Sequence, residues 1–301
     1  MPENWQVAVE SAAGEYFLIC SDKLMLAPGL LSLLDRNLRE SSARIVVWNL
    51  GRQNQIRPVG DLTIQGRLVP GGEIWECATS GAWRIFQNAG ARGMNSAIDR
   101  TLVPEVENRL GVPFCRPGTP DYTMAMTLAA MEVDSLYLDI IGSGFLSDAH
   151  GTGLLALMAP DDQTVRKKFD VPMVSDLPVK FATGTNLIYQ DICSLNKLLP
   201  DALKRPLNWE MYYVHLIHEA ANADQMGGFG AVRKQELLSV ICLQPLRFRL
   251  SLAKTVINQE WQNLLRRKYK ISFQLKLIMR LMKYIIPPLF TGRKMVGPAA
   301  P

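Results

Sequence analysis

Short apolar runs alternate with amphipathic stretches through the first half of the chain. Residues 16–19, 44–48 and 136–140 are apolar runs of strand length, with β-branched residues at the centre of the second run. Residues 3–13, 29–39 and 122–132 place apolar side chains at helical spacing, and Pro28 predicts the first position of the second of these helices. Strands and helices that alternate in this way predict an α/β fold.

Other parts of the first half have a weaker pattern. Residues 49–81 are rich in glycine and turn residues and predict loops with short strands. Residues 83–109 predict two helical pieces, the second opening near Asn95 and interrupted by Pro104. Residues 142–144 and 151–153 each read Gly-x-Gly and predict loops able to fold over a diphosphate, although neither matches a known phosphate-binding motif.

From about residue 155 the helical pattern dominates. Residues 186–199 and 207–224 predict amphipathic helices, and residues 237–286 are almost entirely helical in pattern. We therefore predict two regions, an α/β core over residues 1–154 and a mostly helical, basic region over residues 155–301.

Positive charge is concentrated at the C-terminal end. Residues 246–301 hold twelve Lys and Arg and one acid, a net +11, so the total of +5 leaves −6 for the other 245 residues. Within residues 271–286, Lys276, Arg280 and Lys283 share one helical face and apolar residues share the other. This predicts a helix on an anionic membrane surface; a helix packed on its own domain is the alternative. Without interleaved aromatic residues, the tail does not predict nucleic-acid binding.

Composition indicates an ordinary globular protein in a reducing compartment. Of the 301 residues, 48% are hydrophobic and 20% are charged. The five cysteines are dispersed without a Cys-x-x-Cys pair, which argues against a structural zinc site or a disulfide framework. The first ten residues lack a signal-peptide pattern. We therefore expect a cytoplasmic protein, peripheral on the inner face of the membrane.

Three sites carry candidate chemistry. Ser21 and Asp22 follow the first strand, where ligands of α/β sheets bind, and the alternative is that Asp22 only stabilises a turn. Asp121 follows a Pro/Gly loop at the start of a helix, where it would cap the helix and remain ionised. A general base needs the same ionised state, so a role as helix cap and a role as base are not exclusive. His150 is either a metal ligand or a solvated loop residue. His215 and His218 share a helical face and predict a partly buried helix surface.

Two patches resemble the family-2 glycosyltransferases of the GT-A fold. The first begins at Asn4-Trp5 and an Ala-rich helix, continues through Gly-Glu-Tyr at 14–16 and an apolar strand, and ends with Ser21-Asp22 and Pro28. The second is Pro-Asp-Tyr at 120–122, a helical run, and Leu-Tyr-Leu-Asp at 136–139. The patches follow the family order and span roughly the first half of the chain.

The resemblance implies transfer of a sugar from a nucleotide-diphosphate donor to a hydroxyl of a saccharide or lipid-linked acceptor. It implies that Asp121 deprotonates the acceptor hydroxyl. It further implies that Ser21 and Asp22 lie at the donor diphosphate, with Asp22 and His150 as ligands of Mg²⁺ or Mn²⁺.

The chain differs from the family in its N-terminal strands and in its acidic cluster. A GT-A transferase begins with strands that hold the nucleotide base, whereas here the Asn-bearing helix comes first, so we expect an incomplete GT-A-like sheet. The acidic cluster has one carboxylate, Asp22, next to Lys23, and hard cations bind several oxygen ligands. The alternative to an enzyme is therefore a non-catalytic remnant, or a membrane-associated partner protein, that retains the fold.

Overall fold

A computed structural model describes residues 2–116, 119–146, 174–225 and 231–267, and in these residues the protein is a mixed α/β structure. The strands are β1 (Tyr16–Phe17), β2 (Leu24–Leu26), β3 (Ile45–Arg52), β4 (Arg67–Val69), β5 (Ser96–Asp99) and β6 (Ser135–Phe145). The helices are α1 (Pro2–Glu10), α2 (Leu30–Glu40), α3 (Gly71–Ser80), α4 (Trp83–Ala89), α5 (Leu102–Leu110), α6 (Pro120–Ala130), α7 (Gly184–Leu198), α8 (Trp209–Gln225), α9 (Ala231–Cys242) and α10 (Leu246–Arg267). Two short 3₁₀ helices cover Gln53–Gln55 and Asp201–Leu203.

The six strands form one sheet of order β1-β5-β3-β6-β2, with β4 also paired to β6. Only β3 and β6 run parallel, and the other pairs are antiparallel. Strand β3 is central, and its first four residues, Ile45 to Trp48, are fully buried. Ile45 and Val47 pack on the side of α3, α5 and α6, while Val46 and Trp48 pack on the side of α2. This two-residue period explains why an unbroken apolar run forms a strand covered on both faces.

The glycine-rich stretch at residues 142–144 lies inside strand β6, so the prediction of a loop there was wrong. A Cβ on Gly142 would lie 2.6 Å from the Trp48 ring. The Trp48 indole N–H donates to Ser143 Oγ at 2.8 Å. The small residues are therefore needed because a tryptophan from the neighbouring strand packs directly over them.

Three further predictions in the first half were wrong. Residues 96–99, predicted as helix, form β5, which pairs with both β1 and β3 inside the sheet. Residues 71–80, predicted within a loop region, form α3. Pro104 does not interrupt a helix, because it lies in the first turn of α5, where a backbone N–H has no helical partner.

The start of α2 also differs from the prediction. Pro28 does not open the helix; it precedes Gly29, the N-cap residue, whose φ is +82°. A Cβ on Gly29 would lie 2.5 Å from the backbone of Gly60. Glycine is therefore required for both its backbone angle and this close approach.

The helices of the second half follow the predicted pattern. Helices α7 and α8 lie within two residues of their predicted ends, and the predicted long helix is divided near Pro245 into α9 and α10. Helix α7 contributes Ile188, Ile192 and Leu195 to the core beside the sheet, and its Leu187 and Tyr189 to a second core with α8, α9 and α10. The region boundary at 154/155 and the basic helix at 271–286 lie outside the described residues. No described helix is long and apolar enough to cross a membrane.

Candidate active site

Asp121 is the second residue of α6, not the residue that caps it. The helix begins at Pro120, with Thr119 in the N-cap position. The Asp121 side chain is half-buried, and the backbone N–H groups of Asp121 and Tyr122 lie close enough to its carboxylate to lower its pKa. Free N–H groups in a first helical turn favour a negative charge in this way.

A second carboxylate, Asp191 of α7, holds the start of α6 in place. Asp191 is 6% exposed. Its Oδ2 accepts a hydrogen bond from the Thr119 hydroxyl at 2.7 Å and one from the Thr119 backbone N–H at 3.2 Å. Asp191 and Thr119 thus fix the turn from which Asp121 projects.

The sequence analysis missed Asp191. It is a polar residue on the buried side of an amphipathic helix, between Ile188, Ile192 and Leu195 at helical spacing. A carboxylate among such positions was the available signal, because an acid is seldom buried without a partner.

Two buried arginines face this pair of carboxylates. Arg92 is 9% exposed, lies over the Tyr122 ring at 5.4 Å, and donates through Nη2 to Gln87 O at 2.9 Å. Arg116 is similarly buried and donates through Nη2 to the Thr127 hydroxyl at 3.3 Å. Among the residues that the structure describes, the buried Nε–H of each arginine has no hydrogen-bond partner. Such donors are costly to leave unpaired, which makes them suited to a polar ligand.

These surroundings raise the pKa of both carboxyl groups. Burial is the largest effect on Asp121 and outweighs Arg92 and the backbone N–H groups, which lower its pKa. Burial also raises the pKa of Asp191 to about 7, against the hydrogen bonds from Thr119 and the charge of Arg116. The helix start does lower the pKa of Asp121, in the expected direction, but removal from water outweighs it.

Aromatic rings border the carboxylates on one side. Trp83 lies 6.1 Å from Tyr122, 5.6 Å from Tyr189 and 5.2 Å from His215, measured between ring centroids. Both Trp83 and Tyr122 are half-buried and present part of their surface to solvent. The site thus combines carboxylates, arginines and partly accessible ring surface.

The two histidines of α8 are half-buried, as their spacing predicts. His215 Nε2 lies 3.0 Å from Gly81 O, and its pKa is lowered by burial. Burial and the neighbouring His215 lower the pKa of His218 to about 4. Both imidazoles are therefore neutral at pH 7.

The predicted donor-side residues lie on an exposed turn between β1 and β2. Ser21 and Asp22 are both exposed, and the predicted strand through Ile19 ends at Phe17. The Ser21 hydroxyl accepts from the backbone N–H of Lys23 at 3.3 Å. Among the residues described, no three His, Cys, Asp or Glu side chains converge on a point. His150 lies outside the described residues. A cation bound at Asp22 therefore stays a prediction, and the described side chains near Asp22 do not form a set of ligands that fits it.

One loop connects this acidic turn to Asp121. The backbone N–H of Ile19 donates to Gly93 O at 3.3 Å. A Cβ on Gly93 would lie 2.8 Å from Met124, one turn along α6 from Asp121. Arg92, the preceding residue, is close enough to lower the pKa of Asp121. The two patches that carry the family resemblance therefore flank the same loop.

No protein-family model matches this chain, and the search among curated proteins returns no match.

Proposed function

We propose that this chain is a glycosyltransferase-like protein of the GT-A type, in which Asp121 is the general base. In the proposed reaction, Asp121 takes the proton of an acceptor hydroxyl, and the hydroxyl oxygen forms a bond to the anomeric carbon of the donor sugar. The bond from that carbon to the nucleotide diphosphate breaks, and the diphosphate leaves with the electron pair. The position of Asp121 carries the proposal: it lies in the first turn of α6, near backbone N–H groups and Arg92, and burial raises its pKa, which favours acceptance of a proton.

The surroundings of Asp121 support this role. A base must be ionised to accept a proton and must keep a stable position during the reaction. Arg92 favours the ionised form, and the bonds between Thr119 and Asp191 hold the helix start. In this proposal Asp191 is a positioning residue that acts on Asp121 through Thr119.

The neighbouring rings support a saccharide or lipid-linked saccharide as acceptor. Tyr122 directly follows Asp121, and the ring of Trp83 lies 6.1 Å from that of Tyr122. Both rings are half-buried, so they place apolar surface near a polar group. Binding sites for small molecules commonly combine apolar walls with a few polar groups that fix orientation.

The donor side has weaker support. We keep Ser21 and Asp22 as candidate residues for a nucleotide-diphospho-sugar, because the strand end before them contacts the same loop, Arg92 and Gly93, as helix α6. Since the described ligands do not form a cation site, no step of the proposed reaction passes through a metal ion.

Release of nucleotide diphosphate tests the proposal. The full chain is incubated with UDP-, GDP- and dTDP-sugars, with methyl glycosides of common hexoses as acceptors. We expect acceptor-dependent release that falls about 10²–10⁴-fold in Asp121→Asn. Asp201→Asn is a matched control, because Asp201 is an exposed acid in the first turn of another helical segment.

The outcomes separate the proposals. Release that persists in Asp121→Asn at the wild-type rate removes Asp121 from the mechanism. A wild-type chain that releases nothing across the panel favours the alternative, a non-catalytic protein that retains the fold. One observation already favours that alternative, namely that Asp22 is exposed beside Lys23 and lacks other described acidic ligands.

A cytoplasmic location, peripheral on the inner face of the membrane, stays part of the proposal.

A further inference from the structure

Helix α10 presents apolar residues on the side that faces away from the protein. Leu246 is 63% exposed, Leu250 is 56% exposed and Ile257 is 36% exposed. With 3.6 residues per turn, these three residues lie within a band about 40° wide. Solvent-facing sides of helices in globular proteins are usually polar, so this band needs a separate explanation.

The other sides of α10 are firmly packed. Leu252, Ala253 and Val256 are buried in the core that α10 shares with α8 and α9. Ser251 donates to a carboxylate oxygen of Glu210 on α8 at 2.7 Å, and Thr255 donates to the other oxygen of the same carboxylate. These contacts set the rotation of α10 and keep the apolar band pointing outwards.

Two cations border the apolar band. Arg247 and Lys254 are exposed and lie about 40–60° around the helix from Leu250. Between Leu246 and Gln259, the part of α10 whose side chains are described, there is no acidic residue. We define Leu246, Arg247, Leu250, Lys254 and Ile257 as the outer stripe of α10.

We propose that the outer stripe of α10 binds the surface of an anionic lipid membrane, with its leucines and isoleucine in the lipid interface and its two cations at the phosphates. Charge complementarity selects this occupant. An amphipathic helix with apolar residues beside Lys and Arg is the usual form of an interfacial helix. The sequence also continues with cations and holds twelve Lys and Arg against one acid over residues 246–301, which attracts the same surface.

This surface is separate from the residues of the proposed reaction. It lies on a helix that packs against α8, and it supplies none of the side chains around Asp121 and Asp191. Membrane binding and sugar transfer can therefore fail independently, because vesicle binding requires no donor or acceptor.

Vesicle co-sedimentation of the full chain tests the proposal. We expect binding to phosphatidylcholine vesicles that contain phosphatidylserine, little binding to phosphatidylcholine alone, and release between about 0.1 M and about 0.5 M salt. Each Lys or Arg near an anionic surface strengthens binding about fivefold. The double variant Arg247→Gln/Lys254→Gln should therefore weaken vesicle binding about 30-fold. Leu250→Glu should weaken it about tenfold or more, since it replaces an inserted apolar side chain with an anion.

Matched controls distinguish a local effect from a general one. Leu31→Glu changes a leucine of α2 that is 60% exposed, and Arg109→Gln removes an exposed cation from α5. Both controls should bind vesicles as the wild type does. Circular dichroism and thermal melting check that each variant is folded.

Three outcomes would overturn the proposal. The first is a wild-type chain that does not bind the anionic vesicles. The second is binding that is equal in the wild type and the stripe variants, which would assign lipid binding to residues outside the stripe. The third is a change of oligomeric state in Leu250→Glu with vesicle binding unchanged, which would make a second copy the occupant.

Discussion

Asp22 follows a predicted strand and Asp121 begins a predicted helix, yet the side chains around these two carboxylates differ. Asp22 lies on an exposed turn, and the described contacts of that turn are between its own residues and with neighbouring backbone. Asp121 lies among Arg92, Tyr122 and Asp191, and burial raises its pKa. The same side chain is thus exposed on a surface turn in one place and, in the other, a half-buried carboxylate whose pKa is raised by burial. The difference arises from residues distant in the sequence.

The largest expected effect is on the rate of sugar transfer, which should differ between variants of the two carboxylates. We expect Asp121→Asn to lower sugar transfer about 10²–10⁴-fold, because it removes the base while keeping the shape of the side chain. Asp22→Asn should lower it less than about tenfold, because solvent already screens an exposed carboxylate. Nucleotide diphosphate release measures both. A loss for Asp22→Asn that equals the loss for Asp121→Asn would show that the two regions contribute alike.

The next effect concerns stability and pH. The raised pKa of Asp191 means that the folded protein holds its proton more strongly than the unfolded chain does. Its contribution to the free energy of unfolding is therefore most favourable at low pH and is lost as pH rises from its ordinary pKa of 3.8 through about 7. This pKa difference corresponds to ~4 kcal/mol. In the variant Asp191→Asn, the free energy of unfolding should not show this decrease as pH rises.

Urea unfolding of the wild type and Asp191→Asn between these pH values gives the difference curve. Asp22→Asn is the exposed control and should follow the wild type at every pH. If the curves of wild type and Asp191→Asn stay parallel, Asp191 is not buried as an acid, and the contrast with Asp22 would be much weaker.

Each region also carries a cysteine that reports its accessibility. Cys20 precedes Ser21 and is exposed, whereas Cys115 precedes Arg116 and is buried. Burial raises the pKa of Cys115 to about 12, so its thiolate is scarce near pH 8. We expect iodoacetamide to label Cys20 on the order of 10²-fold faster. Peptide mass spectrometry of briefly labelled protein measures the ratio, and equal labelling would show that the region of Arg116 opens readily.

The smallest expected effect concerns Gly93, in the loop between the turn of Asp22 and the start of α6. Gly93 has a φ of +69°, and an added Cβ would lie 2.8 Å from Met124 and 3.2 Å from Ile19. Gly111 has a φ of +67° with no atom within 4 Å of such a Cβ. Both Gly→Ala changes carry backbone strain of ~1 kcal/mol, and Gly93→Ala adds overpacking of ~1–3 kcal/mol.

Urea unfolding compares Gly93→Ala with Gly111→Ala. Equal losses of stability would mean that the loop is not held between Ile19 and α6. The two regions would then be less closely connected than the structure indicates.

Much of the fold could be predicted from the amino-acid sequence. The alternation of apolar strands and amphipathic helices indicates an α/β protein, because burial of one face imposes a local period. The same reasoning predicted α2, α7 and α8 within two residues of their observed bounds, and it predicted the start of β3 but not its extension to Arg52. Such elements are predictable because the signal lies in neighbouring residues.

The rest depends on contacts between distant residues. Residues 96–99 become a strand because β1 and β3 pair with them on both sides, and residues 142–144 remain in a strand because Trp48 packs over Gly142. Asp121 could be selected from the sequence, but its raised pKa could not, because burial and its charged neighbours come from other elements. Asp191 belongs to the site because folding brings it to Thr119, 72 positions away, to which it is hydrogen-bonded. Local sequence specifies which side chains are present, whereas their protonation depends on the charges and the low-polarity surroundings that folding brings together.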